Sequence, residues 1–152
     1  MWPSAVAPAA PSNSQATKDP RPLRDRSFQN KMRQDILNWL QSTGYDISMQ
    51  TLLNITGNNF RSIVFHLVLQ LDPNYFYDPN CRFEDEFVAT LKSLQYPFAN
   101  QIDTKWLAAP ASMHSWPFLL GVLHWLVQMS RVCRLVYLRC AIYIHASATG
   151  KI

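Results

Sequence analysis

The run 118–129 constrains this chain more than any other segment. It carries Phe118, Leu119, Val122, Leu123, Trp125, Leu126 and Met129, with His124 inside, and as a whole reads as a helix apolar nearly all round. Such a helix is stable in water only when other helices enclose it. The run is too short to cross a bilayer, which takes roughly 20 apolar residues. Arg131, Arg134 and Arg139 interrupt the sequence beyond it. No membrane span is expected, so the rest of the chain must supply the enclosing surface.

Upstream segments carry the faces needed. Phe28, Met32, Ile36, Leu37, Trp39 and Leu40 share one side of a helix that Asp25 can cap. It runs to about Thr43, and Gly44 stands where a helix-ending glycine belongs. Ser48 can cap a short turn through Leu53. Phe60, Ile63, Val64, Leu67, Val68 and Leu71 recur at helical spacing, with Asn58 or Asn59 as cap and Asp72-Pro73 as stop. Phe83, Phe87, Val88, Leu91 and Leu94 form the inner face of a further helix, ended by Tyr96-Pro97. Its acidic run Glu84-Asp85-Glu86 lies in the first turn, where it complements the helix dipole. A short turn is expected near Trp106. Ser115 can cap the final helix, with Trp116 and Pro117 in its first turn. No segment alternates as a strand. The fold class read from these periods is all-α, a bundle around one central buried helix. Trp39 and Trp125 lie on faces otherwise made of Leu, Ile and Phe and are expected in the core.

The ends differ from this middle. Residues 1–17 are rich in Pro, Ala and Ser and hold no charged side chain, so a disordered leader is expected. The prolines of Lys18-Asp19-Pro20-Arg21-Pro22-Leu23 make an extended entry segment. Residues 130–152 show no sustained heptad.

Little here suggests catalysis. There is no GxSxG, no HExxH and no Gly-rich phosphate loop in a chain with four glycines. His66 and His124 fall inside apolar helices as satisfied core or boundary histidines. Cys81, Cys133 and Cys140 have no metal spacing, and Cys81 is expected as a buried or half-buried reduced thiol. No enzyme activity, metal or cofactor is expected. The net charge of +4 favours an acidic partner only weakly, but its distribution is uneven. Six cations (Lys18, Arg21, Arg24, Arg26, Lys31, Arg33) face two acids, Asp19 and Asp25, over 18–33. Single-stranded nucleic acid would want aromatics along a basic groove, a pattern not read here.

Specific strings then carry a resemblance. Lys18-Asp19-Pro20-Arg21-Pro22-Leu23, Asn38-Trp39-Leu40 with Gly44-Tyr45, Ser48-Met49, Leu94-Gln95-Tyr96-Pro97-Phe98, and His114-Ser115-Trp116-Pro117 before His124-Trp125-Leu126-Val127 occur in order. Together they resemble the head of the Ndc-eighty (HEC) kinetochore protein family over about 18–129. The resemblance implies a calponin-homology fold and a non-enzymatic role at the kinetochore, in the nucleus on the centromere. It implies a subunit of a four-subunit complex that attaches chromosomes to spindle microtubules in mitosis. Its partners would be tubulin and the other subunits, with no nucleic acid and no membrane. The implied lattice contacts are Lys105, Arg26, His114, Arg61 and Lys18. The alternative is a calponin-homology interaction module that binds a partner subunit or a checkpoint kinase with little microtubule affinity. Two departures stand out. The leader lacks the family's basic residues, and the match fades after Met129 without the family's coiled coil. The expected organisation is a leader at 1–17, a head at 18–129 and a non-family tail at 130–152, consistent with truncation, a gene-model error or a retained intron.

Overall fold

A computed structural model describes residues 18–148. The expected leader at 1–17 lies outside the described residues. Five α-helices succeed one another: α1 (Arg26–Ser42), α2 (Met49–Leu53), α3 (Gly57–Leu71), α4 (Phe83–Ser93) and α5 (Trp116–Ala148). Two 3₁₀ turns, Ala99–Gln101 and Thr104–Ala108, link α4 to α5. No strand is present among the described residues.

The first half of α5 is the axis of the bundle. Leu119, Leu120, Val122, Leu123, Leu126 and Val127 have no exposed surface. They pack against α1 and α3, whose inner faces supply Met32, Ile36, Leu40, Phe60, Ile63 and Leu67. Each such side chain contributes about 1.5–3 kcal/mol on burial, which explains why an apolar helix sits at the centre. The entry segment is pinned to it. The Arg21 guanidinium is paired with Asp19 at 2.6 Å and donates to the Gly121 carbonyl at 2.9 Å and to the Tyr96 hydroxyl at 2.6 Å. Leu23 is buried against Gly121, where an added Cβ would lie 2.9 Å from the Leu23 side chain.

Helix ends match their caps. The Asp25 carboxylate accepts from the Phe28 N–H at 2.7 Å and starts α1. Gly44, at φ +80°, ends it, with the Tyr45 N–H returning to the Leu40 carbonyl at 2.9 Å. Ser48 caps α2 as expected. α3 starts earlier than expected: Thr56, in extended conformation, accepts from the Asn59 N–H, so neither Asn58 nor Asn59 is the cap. α4 ends before Tyr96-Pro97, through Gln95 at φ 61° and a Tyr96 N–H to Leu91 carbonyl bond of 2.8 Å. Ser115 precedes α5, but its hydroxyl donates back to the Ala109 carbonyl at 2.8 Å. It ties the preceding loop to the helix rather than accepting from the first turn.

Three expectations about burial change. Trp39 and Trp125 are half-buried at the edge of the core rather than inside it. The Trp39 ring has polar and cationic neighbours that hold it at the rim. Its Nε1 donates to Gln70 Oε1 at 2.9 Å, and Arg131 and Arg134 lie over its face. Cys81 is exposed, because it sits in the turn that Asp78 closes ahead of α4.

The expected boundary at Met129 falls inside α5, with no structural break. Ser130 is buried and its hydroxyl donates to the Leu126 carbonyl at 2.8 Å. Arg131 clasps Asp35 of α1 through both carboxylate oxygens, at 2.7 and 3.0 Å. His124 Nε2 donates to the same carboxylate at 2.8 Å. Beyond Arg131 the helix exposes its apolar side chains, while Cys133, Arg134 and Tyr137 still border a groove against α1 and α3. The stretch Trp116–His145 is long and apolar enough to cross a bilayer by length and composition, although half of its most apolar window is buried in the bundle.

Candidate functional site

The start of α1 and the loop before α5 meet at one end of the bundle. Asp25 and Asp103 set the local geometry. Asp25 commits its carboxylate to the α1 cap. The Asp103 carboxylate accepts from the Lys105 N–H at 2.9 Å and starts the 3₁₀ turn Thr104–Ala108. Trp106 of that turn stacks on Phe118 with centroids 4.8 Å apart and rings 16° from parallel. His114 meets the Trp106 edge at 6.1 Å, and the Arg24 guanidinium lies 5.9 Å from the Phe118 centroid. The segment leading into α1, through Arg24, and the loop before α5, through His114, thus meet at one aromatic stack.

Beside this stack runs an open groove of about 420 Å³, lined by Arg24, Gln29, Arg33, Met113, Trp116 and Pro117 among others. No carboxylate lines it. Arg33 donates to Asn30 at 2.9 Å, while its buried Nε has no partner among the described residues. Burial and then the positive charge of Arg26 draw the Arg33 guanidinium below its ordinary range.

The residues named from the sequence divide between this end and other surfaces. Arg26, Lys105 and His114 are exposed at this end. Lys18 is exposed at the start of the entry segment. Arg61 is exposed on α3 and belongs to a different contact, with its guanidinium 4.8 Å from the Phe83 ring centroid. Arg24 and Arg33 escaped the sequence reading as site residues. Their only signal was membership of the cation-rich run 18–33, which does not say which members share a groove with a loop eighty residues away.

Comparison with known proteins gives the family. The model of the HEC/Ndc80p family matches residues 27–138. The chain belongs to the HEC/Ndc80p family. Its helical bundle is accordingly of the calponin-homology type. It is 35% identical over 119 residues to the kinetochore protein ndc80 of Schizosaccharomyces pombe, covering 77% of this chain and 19% of that protein. It is 38% identical over 120 residues to the probable kinetochore protein NDC80 of Candida glabrata, covering 75% and 17%. With the probable kinetochore protein NDC80 of Cryptococcus neoformans it shares 37% identity over 121 residues, 78% of this chain and 17% of the relative. The chain thus spans about a fifth of the length of the curated relatives it matches. The HEC/Ndc80p match continues past Met129 to residue 138, so the Arg131 clasp lies within it.

Proposed function

We propose that this chain is the microtubule-attaching head of a kinetochore subunit, acting in chromosome segregation without catalysis. The observation that carries the reading is the family match over 27–138. The head would be the bundle beginning at residue 18, located on centromeric chromatin in the nucleus and working with the other subunits of a four-subunit complex. Arg26, Lys105 and His114 would face the acidic tubulin lattice, with Arg24 and Arg33 adding to the same field and Arg61 and Lys18 at its margins.

The physical basis is modest attraction multiplied by number. An exposed ion pair contributes up to about 1 kcal/mol, so a single head binds weakly and salt weakens it further. Many heads on one lattice reach useful strength through avidity. Rigidity matters too: the Trp106–Phe118 stack and the Asp103 cap hold Lys105 in place, which lowers the ordering cost of binding.

A partner-docking module is the second reading, favoured by two observations. The leader 1–17 holds no Lys or Arg. A larger groove, about 670 Å³, opens between α1, α3 and α5 at Trp39, His66, Gln70, Leu71, Arg134 and Tyr137. Co-sedimentation with taxol-stabilised microtubules across a salt series separates the readings. Binding that falls steeply with salt supports the lattice head. Absence of binding at low salt, with capture of a partner subunit that resists salt, supports the module.

A further inference from the structure

The distal half of α5 is the most unusual surface of the molecule. From Val132 to Ile144 it exposes Val132, Leu135, Val136, Tyr137, Leu138, Ile142, Tyr143 and Ile144, each about half or more accessible. At 3.6 residues per turn these side chains fall on every side of the helix. A partner helix or groove covers one apolar stripe and would leave the rest in water. A medium that surrounds the helix covers all of it.

Charge points the same way. No Asp or Glu occurs after Asp103 anywhere in the sequence, while Arg131, Arg134 and Arg139 do. Arg131 is committed to Asp35. Arg134 lies over the Trp39 ring, and neither Arg134 nor Arg139 forms an ion pair among the described residues. A second copy of this helix would bring like charges together, whereas an anionic surface would answer them. The Asp35–His124–Arg131 clasp also fixes the direction in which the helix leaves the bundle.

We propose that the exposed half of α5 inserts into one leaflet of an anionic phospholipid membrane. The stretch 132–144 is about 20 Å long at 1.5 Å per residue, short of the roughly 30 Å hydrocarbon core. This exposed length fits the depth of one leaflet better than the full core. Arg134 and Arg139 reach back to lipid phosphates along their aliphatic stems, and Tyr137 and Tyr143 supply rings suited to the interface. The proposal is independent of the lattice reading, which uses a different surface: the start of α1 and the loop before α5.

The test is flotation of the full chain with two vesicle preparations, phosphatidylcholine with phosphatidylserine and phosphatidylcholine alone, with sedimentation of the chain without lipid as the companion measurement. Floating with the phosphatidylserine vesicles, more strongly at low salt, is the expected result. Leu135→Glu with Ile142→Glu should lower partitioning by roughly a hundredfold, as two buried aliphatic groups are lost. Both positions are exposed, so the circular dichroism and the microtubule co-sedimentation of this variant should match the parent. Arg134→Glu with Arg139→Glu should lower partitioning into the anionic vesicles by at least about tenfold. Failure to float with phosphatidylserine vesicles at low salt overturns the proposal. So does equal flotation of the Leu135→Glu, Ile142→Glu variant. A chain that self-associates through these residues and ignores both vesicles would assign the surface to a second copy instead.

Discussion

Asp35 shows how one carboxylate joins segments that the sequence keeps far apart. The Arg131 hydrogen bonds hold its carboxyl below the ordinary range, against the opposing effect of burial and with the help of His124. Its folded-state pKa is therefore lower than its unfolded one. The stability this confers is complete above the unfolded value, about 3.9, and is lost as pH falls through the folded value. Asp35→Asn should lower stability near neutral pH by roughly 1–2 kcal/mol, since charged hydrogen bonds are lost at a partly exposed site. Thermal melts at pH 7 and pH 3 check this: the variant should melt lower at pH 7, and its gap to the parent should be narrower at pH 3, below the unfolded value. An unchanged gap at both values would refute the clasp. Trp39 makes a second residue-scale case. Its position at the rim reduces the expected loss for Trp39→Ala from the 3–5 kcal/mol of a buried ring to about 2 kcal/mol, measured by urea unfolding. None of the clasp was legible in the sequence. Asp35 has the periodicity of a solvated charge, and its partners lie 89 and 96 positions away.

Elements were easier to read than their ends. The apolar periods of α1, α3 and α4 and the all-round apolar run of α5 survive intact, because burial of a face is written directly into residue spacing. Caps were legible where one candidate stood alone, as at Asp25 and Ser48. They misled where several competed: Thr56, Asn58 and Asn59 can all accept a hydrogen bond, and backbone geometry chose Thr56. The length of α5 was also missed, since three arginines in an apolar run resemble the end of a core helix. Gln95 offers a test at this scale. It occupies the left-handed conformation at φ 61° that glycine adopts without strain. Gln95→Gly should raise stability by about 0.5–1 kcal/mol, after allowing for glycine's greater freedom in the unfolded chain. A lowered melting temperature would show that the Gln95 side chain contributes more than its backbone costs.

At the scale of the whole molecule, a rigid bundle presents separate surfaces on a single axis. The first half of α5 organises the core, the loop before it carries Lys105 and His114, and the distal half exposes its apolar side chains. The family was legible from short strings, several of which turn out to be structural. Arg21 and Tyr96 meet in the pinning of the entry segment, and Gly44-Tyr45 forms the α1 stop. The groove flanked by Arg24 and Arg33 was not legible, because only folding brings α1 beside the loop at 111–117. The measurement that bears most directly on lattice attachment is microtubule co-sedimentation of Lys105→Glu with Arg26→Glu at low ionic strength. On the proposed surface each reversal would exchange an attraction to acidic tubulin for a repulsion, so a loss of roughly tenfold per site is expected, with folding unchanged and Glu84→Gln binding like the parent. A double variant that pellets as well as the parent would contradict the proposed lattice-facing surface.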